Sequence, residues 1–144
     1  MKVRDVMTPD AVAAHPETTL MAAAEMMRLL NVGSLPVVEG ERVVGILTDR
    51  DIVVRGLAMG FNPRTVSVAD VMTRNVQTCS VDDDVEDVAH QMRDLQVRRL
   101  LVVDEQERLI GIVSLGDLAM EMEDQRLAGR VLEGISEPST SLAH

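Results

Sequence analysis

Apolar residues recur every three or four positions in two separate stretches of the chain, which is the spacing of one face of an α-helix. The first stretch contains Leu20, Ala23, Ala24, Met27 and Leu30, and the second contains Val85, Val88, Ala89, Met92 and Leu95. Each stretch therefore predicts an amphipathic helix.

Short polar residues precede both predicted helices. Thr18 is expected to cap the first helix, and Ser80 or Asp82 the second, because their side chains can satisfy free N–H groups in a first helical turn. The acidic run at residues 82–84 lies where a helix start favours negative charge. It is interpreted as a capping feature and not as a metal site.

Two short runs rich in β-branched residues follow each predicted helix and indicate strands. They are "LPVVE" and "RVVGILT" after the first helix, and "LLVVD" and "RLIGIVS" after the second. The polar breaks "GE" and "EQE" between them suit hairpin turns. Further helices are predicted at about residues 49–59 and 116–132, and "GFNPR" at residues 60–64 contains the Gly, Asn and Pro that end the first of them.

The first half of the chain is repeated in the second half. "VRDVMT" from Val3 returns as "VADVMT" from Val68, and "GILTDRD" from Gly45 returns as "GIVSLGD" from Gly111. Each copy predicts a strand, helix, strand, strand, helix unit, too small to bury its sheet alone. The expected fold class is α/β (α+β), with two small sheets, each flanked by two helices, packed with pseudo-two-fold symmetry around a cleft.

The repeated motif places a glycine, a hydroxyl and an aspartate at the start of a helix. Thr48 and Ser114, with the free N–H groups of the first turn, can hydrogen-bond a phosphate. Asp51 and Asp117 follow three residues later, where a carboxylate can accept hydrogen bonds from a vicinal diol. Glycine at the first motif position, Gly45 and Gly111, is expected to leave room for a ring. A hydrogen-bond donor to phosphate and a hydrogen-bond acceptor for a diol together indicate a ribonucleotide site. A hydroxyl residue followed three positions later by an acid is, however, also a common helix cap.

These motifs resemble those of a tandem pair of CBS domains, a Bateman module of the small stand-alone prokaryotic kind. The resemblance rests on "DVMT" twice, "GSLPVVE", "VRRLLVVD" and the two Gly, x, x, Thr or Ser, x, x, Asp motifs, and covers residues 1 to about 130. It divides the chain into a first motif at residues 1–62, a linker at 63–67, a second motif at 68–132 and a disordered tail at 133–144.

The resemblance implies regulatory binding of AMP, ADP or ATP, with S-adenosylmethionine or NAD as alternatives. It assigns ribose contacts to Asp51 and Asp117 and phosphate contacts to Thr48 and Ser114. It also places residues near Ala13 and Thr78 along the adenine.

Basic side chains are expected at the same sites. Arg98, Arg99 and Arg50 occupy matching places, but Gly33 and Ser34 stand opposite the first two in copy one. Two alternatives follow for copy one: it makes fewer contacts to phosphate, or arginines from the other copy contact the phosphate across the cleft. Solvated arginines that bind nothing are the simpler alternative.

The composition of the chain argues against several classes of function. The formal net charge of −10 and the absence of a basic stripe disfavour nucleic acid as a partner. The single cysteine, Cys79, excludes an intrachain disulfide, and scattered histidines at 15, 90 and 144 form no metal motif. No run of apolar residues is long enough to be a signal peptide or to span a membrane, so a cytoplasmic location is expected.

No nucleophile with a paired base, P-loop or zinc motif is present, so we predict that the protein is not an enzyme. The expected partners are a small-molecule nucleotide, a second copy of the chain in a homodimer, and a regulated protein of unknown identity. An interaction scaffold with empty clefts is the alternative.

Overall fold

The computed structural model describes residues 1–132, with side chains described to residue 123. The predicted disordered tail at 133–144 lies outside the described residues. In chain order the strands are β1 (Thr8–Pro9), β2 (Ser34–Glu39), β3 (Arg42–Thr48), β4 (Thr78–Ser80), β5 (Arg99–Val103) and β6 (Leu109–Ser114). The α-helices are α1 (Leu20–Leu30), α2 (Val85–Leu95) and α3 (Leu115–Leu132).

The predicted helices α1 and α2 are confirmed, but their caps differ from the prediction. Thr19, and not Thr18, is the N-cap of α1, and its side chain accepts a hydrogen bond from the backbone N–H of Ala22 at 3.1 Å. The N-cap of α2 is Asp84, whose side chain makes no capping hydrogen bond. Both helices end at a residue in the left-handed conformation, Asn31 and Gln96, which stops helix propagation.

The chain divides into two compact units. The first-repeat unit comprises Asp10–Gln77 with Val103–Leu109, and the second-repeat unit comprises Met1–Pro9, Thr78–Val102 and the described part of Ile110–His144. Short 3₁₀ turns at Val3–Asp5 and Val68–Asp70 begin the two repeated "DVMT" segments.

In the first-repeat unit, β2 and β3 form an antiparallel hairpin that pairs Ser34 with Thr48. The strand expected before α1 is reduced to one parallel bridge, between Ala14 and Val37. After β3 the chain enters a π-helical segment at Asp51–Gly56 and a 3₁₀ turn at Leu57–Met59, where an α-helix was predicted. Gly60 then adopts φ 80°, which glycine accepts without strain, and ends the segment.

In the second-repeat unit, four strands form a sheet in the order β1-β6-β5-β4. β1 pairs antiparallel with β6, so that Thr8 stands opposite Ile112. The buried core of this unit lies between the sheet and the two helices. It contains Val3, Cys79, Val85, Val88, Met92, Leu100, Val102, Val113 and Leu118.

The repeated "DVMT" segments each pack into the unit built from the other repeat. Val3, in the first repeat, is fully buried in the core of the second-repeat unit. Val68, its counterpart, is fully buried in the core of the first-repeat unit. The exchange extends to the backbone, because Thr73 and Ile46 form two hydrogen bonds of 2.9 Å, matching the pairing of Thr8 with Ile112. Neither unit is therefore made of one contiguous repeat.

The mixed α and β fold class with small sheets and helices is confirmed. No helix among the described residues is long and apolar enough to span a membrane.

Candidate functional site

In the first-repeat unit, Thr48 and Asp51 are locked together by two reciprocal hydrogen bonds. The Thr48 hydroxyl accepts from the Asp51 backbone N–H at 3.0 Å, and Oδ2 of Asp51 accepts from the Thr48 N–H at 3.1 Å. This arrangement is a capping box at the junction of strand and helical segment. The Asp51 side chain is 12% exposed, so most of its surface is covered by other residues.

The second-repeat unit reproduces half of that arrangement. The Ser114 hydroxyl accepts from the Asp117 backbone N–H at 3.1 Å at the start of α3. Within the described residues, the Asp117 carboxylate has no hydrogen-bond or ion-pair partner, and the residue is half-buried. Its oxygens are therefore available to an external donor.

A shared backbone contact fixes the correspondence between Gly33 and Arg98. The Gly33 carbonyl accepts from the Asp49 N–H at 2.9 Å, and the Arg98 carbonyl accepts from the Leu115 N–H at 2.7 Å. Each bond joins the residue before the first hairpin strand to the residue after the second. The Arg98 backbone thus lies beside Leu115, the residue that follows Ser114.

The predicted arginines are all exposed, and the described residues offer their guanidinium groups no partner. Arg98 precedes β5 and Arg99 is its first residue, so both belong to the second-repeat unit with Ser114 and Asp117. Arg50 lies in the first-repeat unit, where its backbone N–H donates to Oδ1 of Asp49 at 2.8 Å.

Two residues that the sequence analysis did not single out belong to the first site. Oδ2 of Asp49 lies 3.2 Å from the position that a Cβ on Gly33 would occupy. Nη1 of Arg55 lies 3.9 Å from Oδ1 of Asp51. The spacing of four residues between Asp51 and Arg55 is a sequence signal for that ion pair, whereas the position of Asp49 depends on strand register.

The expectation that the motif glycines leave room for a ligand ring is wrong. A Cβ on Gly111 would lie 2.5 Å from the backbone oxygen of Thr8, and one on Gly45 would lie 2.7 Å from Sδ of Met72 and 3.0 Å from the oxygen of Thr73. The space beside each glycine is filled by the exchanged "DVMT" segment. Glycine is needed there because another backbone approaches closely.

The two positions expected to line the adenine differ in structure. Thr78 begins β4, and its backbone carbonyl accepts a hydrogen bond from the Gln91 side chain at 3.1 Å. Ala13 lies outside the named strands, one residue before the bridge at Ala14. Both are half-buried.

Cys79 lies in the core of the second-repeat unit, 4% exposed. Burial, with a smaller contribution from the charge of Asp83, raises the pKa of its thiol to about 12. Among the described residues, no group of three or more His, Cys, Asp or Glu side chains is placed to hold a metal ion.

The chain is similar to a recognised family along most of its length. The family model described as "CBS domain" matches residues 3–57 and again residues 68–124. The CBS domain-containing protein YhcV of Bacillus subtilis strain 168 is 40% identical over 134 residues, which make up 93% of this chain and 94% of that protein.

Two solved structures with bound adenosine compounds share the fold. CBSX2 from Arabidopsis thaliana, solved in complex with AMP, has a TM-score of 0.75 and 27% identity over 87% of this chain and 98% of its own. The CBS domain pair of protein MJ0100, in complex with 5′-methylthioadenosine and S-adenosyl-L-methionine, has a TM-score of 0.73 and 30% identity over the same shares.

Proposed function

The chain belongs to the CBS-domain family, and from that premise we propose that it is a regulatory module that binds an adenine nucleotide, AMP, ADP or ATP. The observation that carries the proposal is the second-repeat motif. Its carboxylate, on Asp117, and its two exposed arginines, Arg98 and Arg99, all lack partners among the described residues. Groups of this kind bind the two ends of a ribonucleotide, the phosphate and the ribose diol.

In this proposal each polar group has one role. Ser114 and the arginines bind phosphate, and Asp117 accepts hydrogen bonds from the ribose hydroxyls. In the first repeat Thr48 and Asp51 hold the places of Ser114 and Asp117, and Arg50, whose counterpart in the second repeat is Gly116, is an exposed arginine between them in the sequence. Hydrogen bonds to charged groups contribute roughly 1.5–3 kcal/mol each. The similarity to structures that contain AMP or methylthioadenosine supports an adenosine ligand.

Regulation requires no catalysis in this chain. A ligand shifts a conformational equilibrium only by the difference in its affinity for the two conformations. The protein that responds is proposed to be a separate partner, and its identity is open.

We further propose that the module is a homodimer. The helical segment after β3 exposes apolar side chains: Val53 is 56% exposed, Leu57 52% and Met59 67%. On α1, Leu29 is 69% exposed. Large exposed apolar surface marks interaction sites. Light scattering should report a dimer that Leu57→Glu dissociates, whereas Val12→Glu, at an exposed residue outside these helices, should leave it intact.

An interaction scaffold with empty ligand sites is the alternative, and one feature favours it. The Asp51 carboxylate is already engaged by the Thr48 N–H and lies near Arg55, as expected of a helix cap with no other task. S-Adenosylmethionine and NAD are alternative ligands within the first proposal.

Thermal shift with a ligand panel separates these possibilities. AMP, ADP, ATP, NAD and S-adenosylmethionine are added to purified, nucleotide-stripped protein at equal concentrations. A ligand present at about 100 times its Kd stabilises the folded state by about 2.7 kcal/mol. A shift with the nucleotides supports the proposal, a shift confined to S-adenosylmethionine or NAD replaces the ligand, and no shift with any compound favours the scaffold.

A further inference from the structure

The second-repeat motif lies beside a segment that carries two arginines, because the Arg98 carbonyl accepts a hydrogen bond from the Leu115 N–H. Arg98 and Arg99 lie at the start of β5, and the residues that follow Ser114 are the uncharged Leu115 and Gly116. The acid nearest to Ser114 in the sequence is the motif aspartate itself, Asp117, which the proposed function assigns to the ribose and not to the phosphate. No acid from the motif therefore opposes an anion beside the two arginines.

The first-repeat motif has an acid at the equivalent place, Asp49, followed in the sequence by the exposed Arg50, so it lacks the net positive charge of two arginines. Gly33 stands where the other copy has Arg98, and the Asp49 carboxylate lies against it, with Oδ2 3.2 Å from the position of a Cβ on Gly33. A single backbone bond, from Arg50 to Oδ1, holds that carboxylate in place. The counterpart of Asp49 in the other copy is Leu115, so the first repeat has gained an acid and lost an arginine at two positions that touch each other.

The ribose end of the first motif remains able to bind. Oδ2 of Asp51 accepts from the Thr48 N–H, but Oδ1 lies 3.9 Å from Arg55, beyond hydrogen-bond distance, and no other described group contacts it. Oδ1 can thus accept from a ribose hydroxyl without breaking the capping box. Only the phosphate end differs in charge between the two motifs.

We propose that the two motifs of one chain select different adenosine compounds: the second-repeat motif binds an anionic adenine nucleotide, and the first-repeat motif binds an adenosine compound that carries no phosphate. This inference rests on the proposed function. A phosphate beside Asp49 meets like charge a few ångströms away, at partial solvent exposure, which weakens binding by about tenfold. The loss of the arginine hydrogen bonds adds about another tenfold.

AMP and adenosine are the matched probes, because they differ by one phosphate. Equilibrium dialysis of nucleotide-stripped protein gives the number of each bound per chain. We expect one AMP per chain at concentrations that saturate the second-repeat motif, and a further adenosine site that Asp51→Asn removes. Circular dichroism checks that Asp51→Asn remains folded, since that substitution also alters a cap.

Asp49→Asn tests the selectivity without disturbing the fold, because the amide oxygen can still accept from Arg50. It is made in a chain that also carries Asp117→Ala and Arg98→Ala, which together remove a ribose contact and a phosphate contact of the second-repeat motif, so that AMP binding to the first motif can be measured. We expect AMP affinity to rise about tenfold while adenosine affinity stays the same. Glu105→Gln, at an exposed acid in the same unit, is the matched control and should change neither.

The results separate the two levels of the proposal. Two equivalent AMP molecules per chain, or no change in AMP affinity with Asp49→Asn, would overturn the selectivity and leave nucleotide binding in place. AMP at the second motif with no adenosine at the first would also overturn it. Failure of both probes to bind anywhere would overturn the proposed function itself.

Discussion

Replacing Gly111 by alanine tests whether the exchanged segment is held against β6. The added Cβ would lie 2.5 Å from the backbone oxygen of Thr8, 3.1 Å from Sδ of Met7 and 3.3 Å from Cα of Pro9. A carbon and an oxygen are normally at least about 3.3 Å apart, so the Thr8 backbone must retreat by roughly 0.8 Å. Such a shift disturbs the pairing of β1 with β6.

The change in the free energy of unfolding combines three effects. Overpacking typically destabilises by about 1–3 kcal/mol, and a weakened backbone hydrogen bond adds about 1 kcal/mol. Alanine restricts the unfolded chain and returns about 0.4–1 kcal/mol. The net loss is about 1–3.5 kcal/mol, which corresponds to roughly 3–10 °C in Tm for a chain of this size.

Two further glycines provide graded controls in thermal unfolding at fixed protein concentration. At Gly45 the nearest atom is the flexible end of Met72, at 2.7 Å, with the Thr73 oxygen at 3.0 Å, so alanine should cost about 1 kcal/mol. At Gly116, inside α3, the nearest atom is the Ser114 hydroxyl at 3.8 Å, and alanine should leave Tm unchanged or raise it. Equal Tm values for Gly111→Ala and Gly116→Ala would refute the close approach of the exchanged segment.

Three other predictions concern the core and the pH dependence. Cys79, buried with a pKa of about 12, should react with a thiol reagent at pH 8 at least about a thousandfold more slowly than in denaturant; a rapid native reaction would contradict its burial. Val68→Ala removes two buried methyl groups from the first-repeat core and should cost about 1.5–3 kcal/mol by urea unfolding; a surface-like value below about 0.5 kcal/mol would contradict the exchange. Burial raises the pKa of Asp104, but hydrogen bonds from Arg108 and Gln106 outweigh it and leave that pKa lowered. The carboxylate therefore stabilises the fold above its unfolded pKa and loses that effect as the pH falls through the lower folded value, so Asp104→Asn should destabilise at pH 7 and converge with the parent in acid; a difference independent of pH would exclude this role.

Much of the local structure could be predicted from the sequence because it depends on neighbouring residues. Apolar spacing located α1 and α2, and β-branched runs located the hairpin strands. The cap of α1 was missed by one residue because Thr18 and Thr19 are chemically equivalent, and only backbone geometry selects between them. The π-helical segment that begins at Asp51 has no comparable pattern in the neighbouring sequence.

Features that depend on distant parts of the chain could not be predicted. The motif glycines were assigned to a ligand because nothing near Gly45 or Gly111 in the sequence indicates that a "DVMT" segment from the other repeat packs on them. The pairing of Thr48 with Asp51 was accessible from spacing alone. The approach of Asp49 to Gly33 could not be predicted without the strand register. The charge difference between the two motifs depends on that approach and could not be predicted either.

Isothermal titration of AMP into nucleotide-stripped protein is the most direct test of the central claim, nucleotide binding by the second-repeat motif. The parent chain is compared with Asp117→Ala and with Glu105→Ala, which removes one exposed acid in the turn between β5 and β6. Loss of the ribose contact should weaken AMP binding by about tenfold to a hundredfold in Asp117→Ala, with Glu105→Ala equal to the parent. AMP affinity that is the same in all three proteins, or absent from the parent, would contradict it.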